Sequence, residues 1–165
     1  MSPDRSPHHP QIERVISGGQ TGVDRAALDI AIACDVAHGG WCPLGRRAED
    51  GRIEERYQLR ETETREYHVR TELNVQAADG TLILVCGPLT GGTHLTRRLA
   101  IKHNKPWLVV DPREAADLAT TLAWLSKQQI RVVNIAGPRE SSSPGIYALA
   151  SDFLRQLLLS LTRHT

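Results

Sequence analysis

The stretch ISGGQTGVDRAALDIAI, residues 16–32, carries an apolar strand end through Gly18, Gly19 and Gly22 into a helix. Upstream, RVIS (14–17) reads as a buried strand. Downstream, Val23, Ala26, Ala27, Ile30 and Ala31 recur at helical spacing with no intervening linker. The pattern repeats outward from this unit. TLILVCG (81–87), PWLVVD (106–111) and IRVVNIAG (130–137) are further short apolar runs, and helical periods cover 64–78, 93–103, 113–127 and 144–161. Strands that alternate with helices and are apolar throughout predict a parallel sheet covered on both faces. The expected fold is a single α/β domain, doubly wound, with a mostly parallel sheet flanked by helices.

Composition agrees with a globular domain. Of 165 residues, 40% are hydrophobic and 24% charged, and 20 basic against 19 acidic side chains leave a net charge of +1. So even a balance gives no general electrostatic reason to bind nucleic acid or an anionic membrane. No run reaches the length of a membrane span, and the first residues lack the apolar core of a secretory signal. Cys34, Cys42 and Cys86 form no CxxC pair or metal-ligand spacing, which points to a reducing compartment and a cytoplasmic protein. Residues 1–12 read as a flexible polar tail and 13–165 as the folded domain. The charged, Gly-rich connection 39–63 is the one long irregular stretch, of a length that is usually functional or mobile.

Ligands of parallel sheets bind outside the carboxyl ends of the strands. Three loops there carry unusual chemistry. In SGGQTG (17–22), glycines permit close backbone approach to an anion at a helix N-terminus, and Gln20 and Thr21 add neutral hydrogen-bonding groups. The spacing fits neither GxGxxG nor a P-loop. In CGPLTGGTHLT (86–96), Gly91, Gly92 and Thr93 open a second helix, and in NIAGPRESSSPG (134–145), Asn134 and Gly137 end a strand beside Arg139. Each loop alone is also compatible with a plain tight turn. Together they predict a pocket that holds a phosphate.

The segments SGGQTGVDRAALD, GGWCPLGRRAEDG, YHVRTELNVQAADGTLIL, GGTHLT and NIAGPRESSSPGIY, in this order from about Arg14 to the last helix, resemble the molybdenum (molybdenum-cofactor) carrier proteins. That family is similar in turn to the Rossmann-like SLOG superfamily, which contains lysine-decarboxylase-like nucleotide phosphoribohydrolases. The resemblance implies a Rossmann-like fold, a homo-oligomer (dimer or tetramer), and a pocket that holds molybdopterin-type cofactor protected rather than chemically changed. Molybdoenzymes would be the recipients. Its motifs match Gly18, Gly19, Gln20, Thr21, Gly22, Arg46, Arg70, Asn74, Gly91, Gly92, Thr93, Asn134, Gly137 and Arg139 as ligand-binding positions, with no protein metal ligands.

A binding protein is the first expectation. The alternatives are an enzyme that cleaves a nucleotide N-glycosidic bond, with Glu49 or Glu140 as its carboxylate and Asp79 as a further candidate, or a sensor of a nucleotide derivative. The relatives' loop PGGxGT with a following Glu reads LTGGTHLT here, without that carboxylate. Several positions stay open on sequence. Tyr67, Arg70, Thr71 and Asn74 share one polar helical face, turned either to solvent or to the pocket. Arg46 is either an anion contact or part of a solvated ion-pair run. Asp24 would repel a phosphate in the first loop unless it is turned away or paired with Arg25. The apolar face of Leu149, Phe153, Leu157 and Leu161 suits either a core or a subunit interface.

Overall fold

A computed structural model describes residues 11–162. In chain order the elements are β1 (Arg14–Ile16), α1 (Val23–Ala33), β2 (Ala37–Gly39), β3 (Trp41–Cys42), β4 (Arg47–Ala48), β5 (Gly51–Arg52) and β6 (Arg60–Glu61). They continue with α2 (Tyr67–Ala77), β7 (Gly80–Leu84), α3 (Gly91–Lys102), β8 (Trp107–Val110), α4 (Ala115–Lys127), β9 (Val132–Ala136) and α5 (Ile146–Thr162). The central sheet has five strands in the order β2-β1-β9-β7-β8, every neighbouring pair parallel. Helices α1, α4 and α5 pack on one face and α2 and α3 on the other. This is the doubly wound, Rossmann-like α/β arrangement.

The apolar runs explain the sheet. Gly80–Leu84 is buried at every residue, as befits a strand covered on both sides. The larger core lies between the sheet and α1/α5, built from Val15, Ile30, Leu82, Leu84, Ile135, Ile146, Phe153, Leu154 and Leu157 among others. The apolar face of α5 therefore belongs to the core: Phe153, Leu157 and Leu161 are buried, while Leu149 is exposed. A smaller cluster of Val75, Leu99 and Ala100 sits under α2 and α3.

Two differences from the sequence pattern stand out. A fifth strand, β2, pairs Ile16 with Gly39 at the sheet edge. Its three residues, Ala-His-Gly, carry no apolar run, so position beside β1 rather than propensity makes it a strand. The connection after it is pinned rather than open. Two short ladders cross it, and Leu28, Cys42, Ala48, Ile53 and Tyr57 bury a core of their own. Of the expected tail 1–12, only Gln11 and Ile12 fall within the described residues, and Ile12 packs against the main core.

The strand order positions the site. From β1 the chain moves outward to β2, and from β7 it moves the other way to β8, with β9 between them. Ile16 is level with Asn134, which is level with Thr81. The loops after β1, β7 and β9 therefore meet at one crevice, where the winding reverses.

Candidate functional site

A cavity of about 370 Å³ opens at this crevice. Its wall on the β1 side is Gly18, Gln20 and Asp24; Asn134 to Pro138 form the floor, and Arg139, Ser141 and Ser142 the rim. Thr90, Gly91, Gly92, Thr93 and Thr96 close one side, and Arg70, Thr71 and Asn74 the other. The polar face of α2 is thus turned to the cavity and not to solvent.

The two glycine-rich helix starts differ in what their amides do. In 17–22 several amides are occupied by the protein. Gly19 N–H donates to Ser17 Oγ (3.2 Å), Gln20 N–H to Asp24 Oδ2 (3.4 Å), and Thr21 N–H to Gln20 Oε1 (3.1 Å). Val23 N–H, at the start of α1, donates to the Pro138 carbonyl at 3.2 Å. The glycines serve close packing: a Cβ on Gly18 would lie 2.3 Å from Arg70 Nη1, and one on Gly22 2.3 Å from the Pro138 oxygen. Gly19 faces Leu59 and Ile53, at 2.7 and 3.0 Å from its would-be Cβ. The amides of Gly19, Gln20 and Thr21 are thus taken, which differs from the first turn of α3. There Gly91 and Gly92 have nothing within 4 Å of a would-be Cβ. As first-turn residues their amides have no intrahelical acceptor and sit at the positive end of the helix dipole. Thr93 Oγ1 accepts from Thr90 N–H (3.1 Å) and donates to the Thr90 carbonyl (2.7 Å), which fixes this helix start.

Gln20 is 4% exposed. Its Oε1 accepts from Thr21 N–H and from Glu49 N–H (2.9 Å), which fixes the orientation of the amide. Its Nε2 has no partner among the described residues. A buried donor without an acceptor costs about 1–3 kcal/mol.

Asp24 is the one carboxylate in the lining. Burial pushes its carboxyl up to about 6, against the opposing pull of Arg70 and of the Gln20 amide. Its ionic partner is Arg70 at 3.7 Å, while Arg25 is held by Asp50 at 2.9 Å and by the Gly19 carbonyl. Arg70 also donates to the Gly18 carbonyl (2.9 Å) and to Thr71 Oγ1 (3.2 Å), so it ties α2 to the first loop.

Other predicted positions support the cavity from behind. Asn74 clamps the backbone of Trp41, accepting from its N–H (2.7 Å) and donating to its carbonyl (3.0 Å). Asn134 donates to Thr81 Oγ1 across the floor at 3.2 Å. A Cβ on Gly137 would lie 2.4 Å from the Leu84 carbonyl oxygen and from Val23 Cγ2, so the last loop passes there only without a side chain.

Arg46 lies outside the lining. Its buried guanidinium donates to the carbonyls of Ile53, Glu54, Tyr57 and Leu59, which makes it the internal fastener of the long connection. Thr21 and Glu49 form a lock between loops: Thr21 Oγ1 donates to Glu49, and Ser141 reaches Glu49 through Oγ (2.5 Å) and N–H (3.2 Å). Those bonds hold the Glu49 carboxyl below its usual range.

The carboxylates considered for glycosidic cleavage are likewise committed elsewhere. Glu140 accepts from the amides of Gly145 (2.6 Å) and Tyr147 (2.9 Å) at the start of α5. Asp79 accepts from Arg131 and Val132 at the amino end of the sheet. Asp24 was not singled out as a pocket carboxylate from the sequence. Its place in the first turn of α1, beside the Gly18–Gln20 loop, is the signal that points to it.

Comparison with known proteins agrees with the fold. Residues 15–158 match the circularly permutated YpsA SLOG family. The crystal structure of "Putative molybdenum carrier protein" from Syntrophus aciditrophicus is 46% identical in sequence, with a TM-score of 0.88 over 92% of this chain and 97% of that one. No curated protein matches. No helix among the described residues is long and apolar enough to cross a membrane.

Proposed function

This chain belongs to the circularly permutated YpsA SLOG family, and on that premise we propose that it is a molybdenum-cofactor carrier, binding a phosphorylated pterin of the molybdopterin type and shielding it. One observation carries the reading: Gln20, whose buried Nε2 has no hydrogen-bond partner among the described residues, lines the same cavity as the open first turn of α3. An anionic group suits the amides of Gly91 and Gly92 with Thr93 behind them, because a helix N-terminus favours negative charge. Gln20 donates to an acceptor on the heterocycle, and Arg70 and Arg139 supply cationic side chains. Gly18, Asn134 and Gly137 shape the wall and floor. Gly19, Thr21, Gly22, Arg46 and Asn74 hold those groups in place.

The cargo brings its own metal. Among the described residues no group of three or more His, Cys, Asp or Glu side chains is placed to hold an ion, and molybdenum would arrive coordinated by the cofactor. What the chain contributes is binding, orientation and exclusion of water. Homo-oligomerisation and delivery to molybdoenzymes belong to the same reading, and the apolar groups left outside the core, Ile101 at 58% exposure among them, are available to such contacts.

Purification followed by mass spectrometry and absorbance tests the proposal. A co-purified pterin, or slowed oxidation of added molybdenum cofactor, is the expected result. A protein that carries no pterin and leaves the oxidation rate unchanged refutes it, and a co-purified nucleotide moves the ligand to a nucleotide derivative. Release of free base from a nucleoside monophosphate, abolished by Asp24→Asn, would establish the hydrolytic alternative.

A further inference from the structure

At the mouth of the cavity one aromatic ring gathers three cations. The guanidinium carbons of Arg47, Arg70 and Arg139 lie 4.9, 5.3 and 5.5 Å from the centroid of Tyr67. They come from different parts of the chain: Arg47 from β4, Arg70 from α2 and Arg139 from the loop after β9. Cation–π attraction explains why each settles on the ring. It does not explain why three like charges converge, since they repel one another.

Nearby carboxylates neutralise them only in part. Asp24 serves Arg70 at 3.7 Å. Glu49 stands 3.9 Å from Arg139 but is already held by Thr21 and Ser141. Arg47 donates to the Arg65 carbonyl at 3.3 Å, and no carboxylate pairs with it among the described residues. The Tyr67 hydroxyl has no hydrogen-bond partner among the described residues. Arg70 and Arg139 line the cavity itself, which makes the cluster continuous with the first site.

We infer that Tyr67 with Arg47, Arg70 and Arg139 forms a second oxyanion subsite at the cavity mouth, so that the ligand carries two anionic groups, one on the first turn of α3 and one here. This rests on the proposed function for the α3 group alone. The second group is a phosphate or carboxylate, because guanidinium forks match such oxyanions.

Titration of the full chain with inorganic phosphate tests it, followed by calorimetry and by the arginine Nε–H resonances. Two phosphates per chain are expected. Arg47→Gln with Arg139→Gln weakens one of them at least tenfold, and Tyr67→Leu, which keeps every charge but removes the ring that gathers them, weakens the same one. Gly92→Asp removes the other, since a carboxylate then fills the open turn of α3. A single phosphate that survives the arginine changes and disappears in Gly92→Asp overturns the second subsite and leaves the α3 site intact. A single phosphate with the opposite response overturns the α3 site and upholds the second. Two phosphates indifferent to all of these changes overturn both.

Discussion

The turns that open α1 and α3, SGGQTG and LTGGT, look alike in sequence and do opposite things. In the first, glycine makes room for the protein. Gly18 admits Arg70, Gly22 admits the Pro138 carbonyl, and the amides of Gly19, Gln20, Thr21 and Val23 are all taken. In the second, glycine leaves room for something else, because Gly91 and Gly92 face open space. A glycine-rich turn at a strand end is therefore not by itself a binding loop. What decides is whether neighbouring backbone or solvent occupies the place of the missing side chain.

Substitutions can break this contrast, and the largest effect belongs to the closed turn. Gly22→Ala places a Cβ against backbone at φ +78°, and destabilisation above about 3 kcal/mol is expected in denaturant unfolding. Next comes Asp24. Its carboxyl is raised from 3.8 to about 6, so the folded state holds the proton more tightly than the unfolded chain. The contribution to stability is fully present below pH about 3.8 and is lost as pH rises through about 6, a difference on the order of 2–3 kcal/mol. Comparing unfolding of the wild type and Asp24→Asn across that window isolates it, because the other titrating carboxylates are shared. Equal pH slopes in the two proteins would contradict a buried, raised carboxyl.

Smaller changes sharpen the comparison. Gln20→Glu keeps the acceptor for Thr21 and Glu49 but exchanges the free donor for charge. Affinity for a phosphorylated pterin should fall at least about tenfold, roughly 1.4 kcal/mol, and the melting temperature should fall as well, because the added carboxyl is buried. Gly92→Ala meets no neighbour and sits in a helical turn. A gain of about 0.5–1 kcal/mol in stability is expected there, opposite in sign to Gly22→Ala. If Gly92→Ala destabilises the protein instead, the turn is not open.

Much of this was legible in the chain. Apolar runs fixed four of the five central strands and all five helices to within a few residues, because a strand buried on both faces and a helix with one apolar face leave clear periods. β2 left none, since an edge strand of Ala, His and Gly is made by its neighbour. Arg46 shows the same limit within the site. In sequence it stands in a run of alternating charges that suits a solvated face, yet the fold turns its guanidinium inward onto four carbonyls. Arg70 and Asn74 shared a polar face whose direction only the packing of α2 against β3 and α3 could settle.

The sequence by itself determined a parallel α/β sheet with three glycine-rich loops at its carboxyl edge, because strand and helix periods are local properties of the chain. Only the tertiary structure decided which loop is filled and which is open, that Asp24 is the carboxylate inside, and that Glu49, Glu140 and Arg46 are fasteners. Those outcomes depend on which groups from distant segments reach a given amide or charge first, and hydrogen bonds and ion pairs between segments leave no period in the sequence to read.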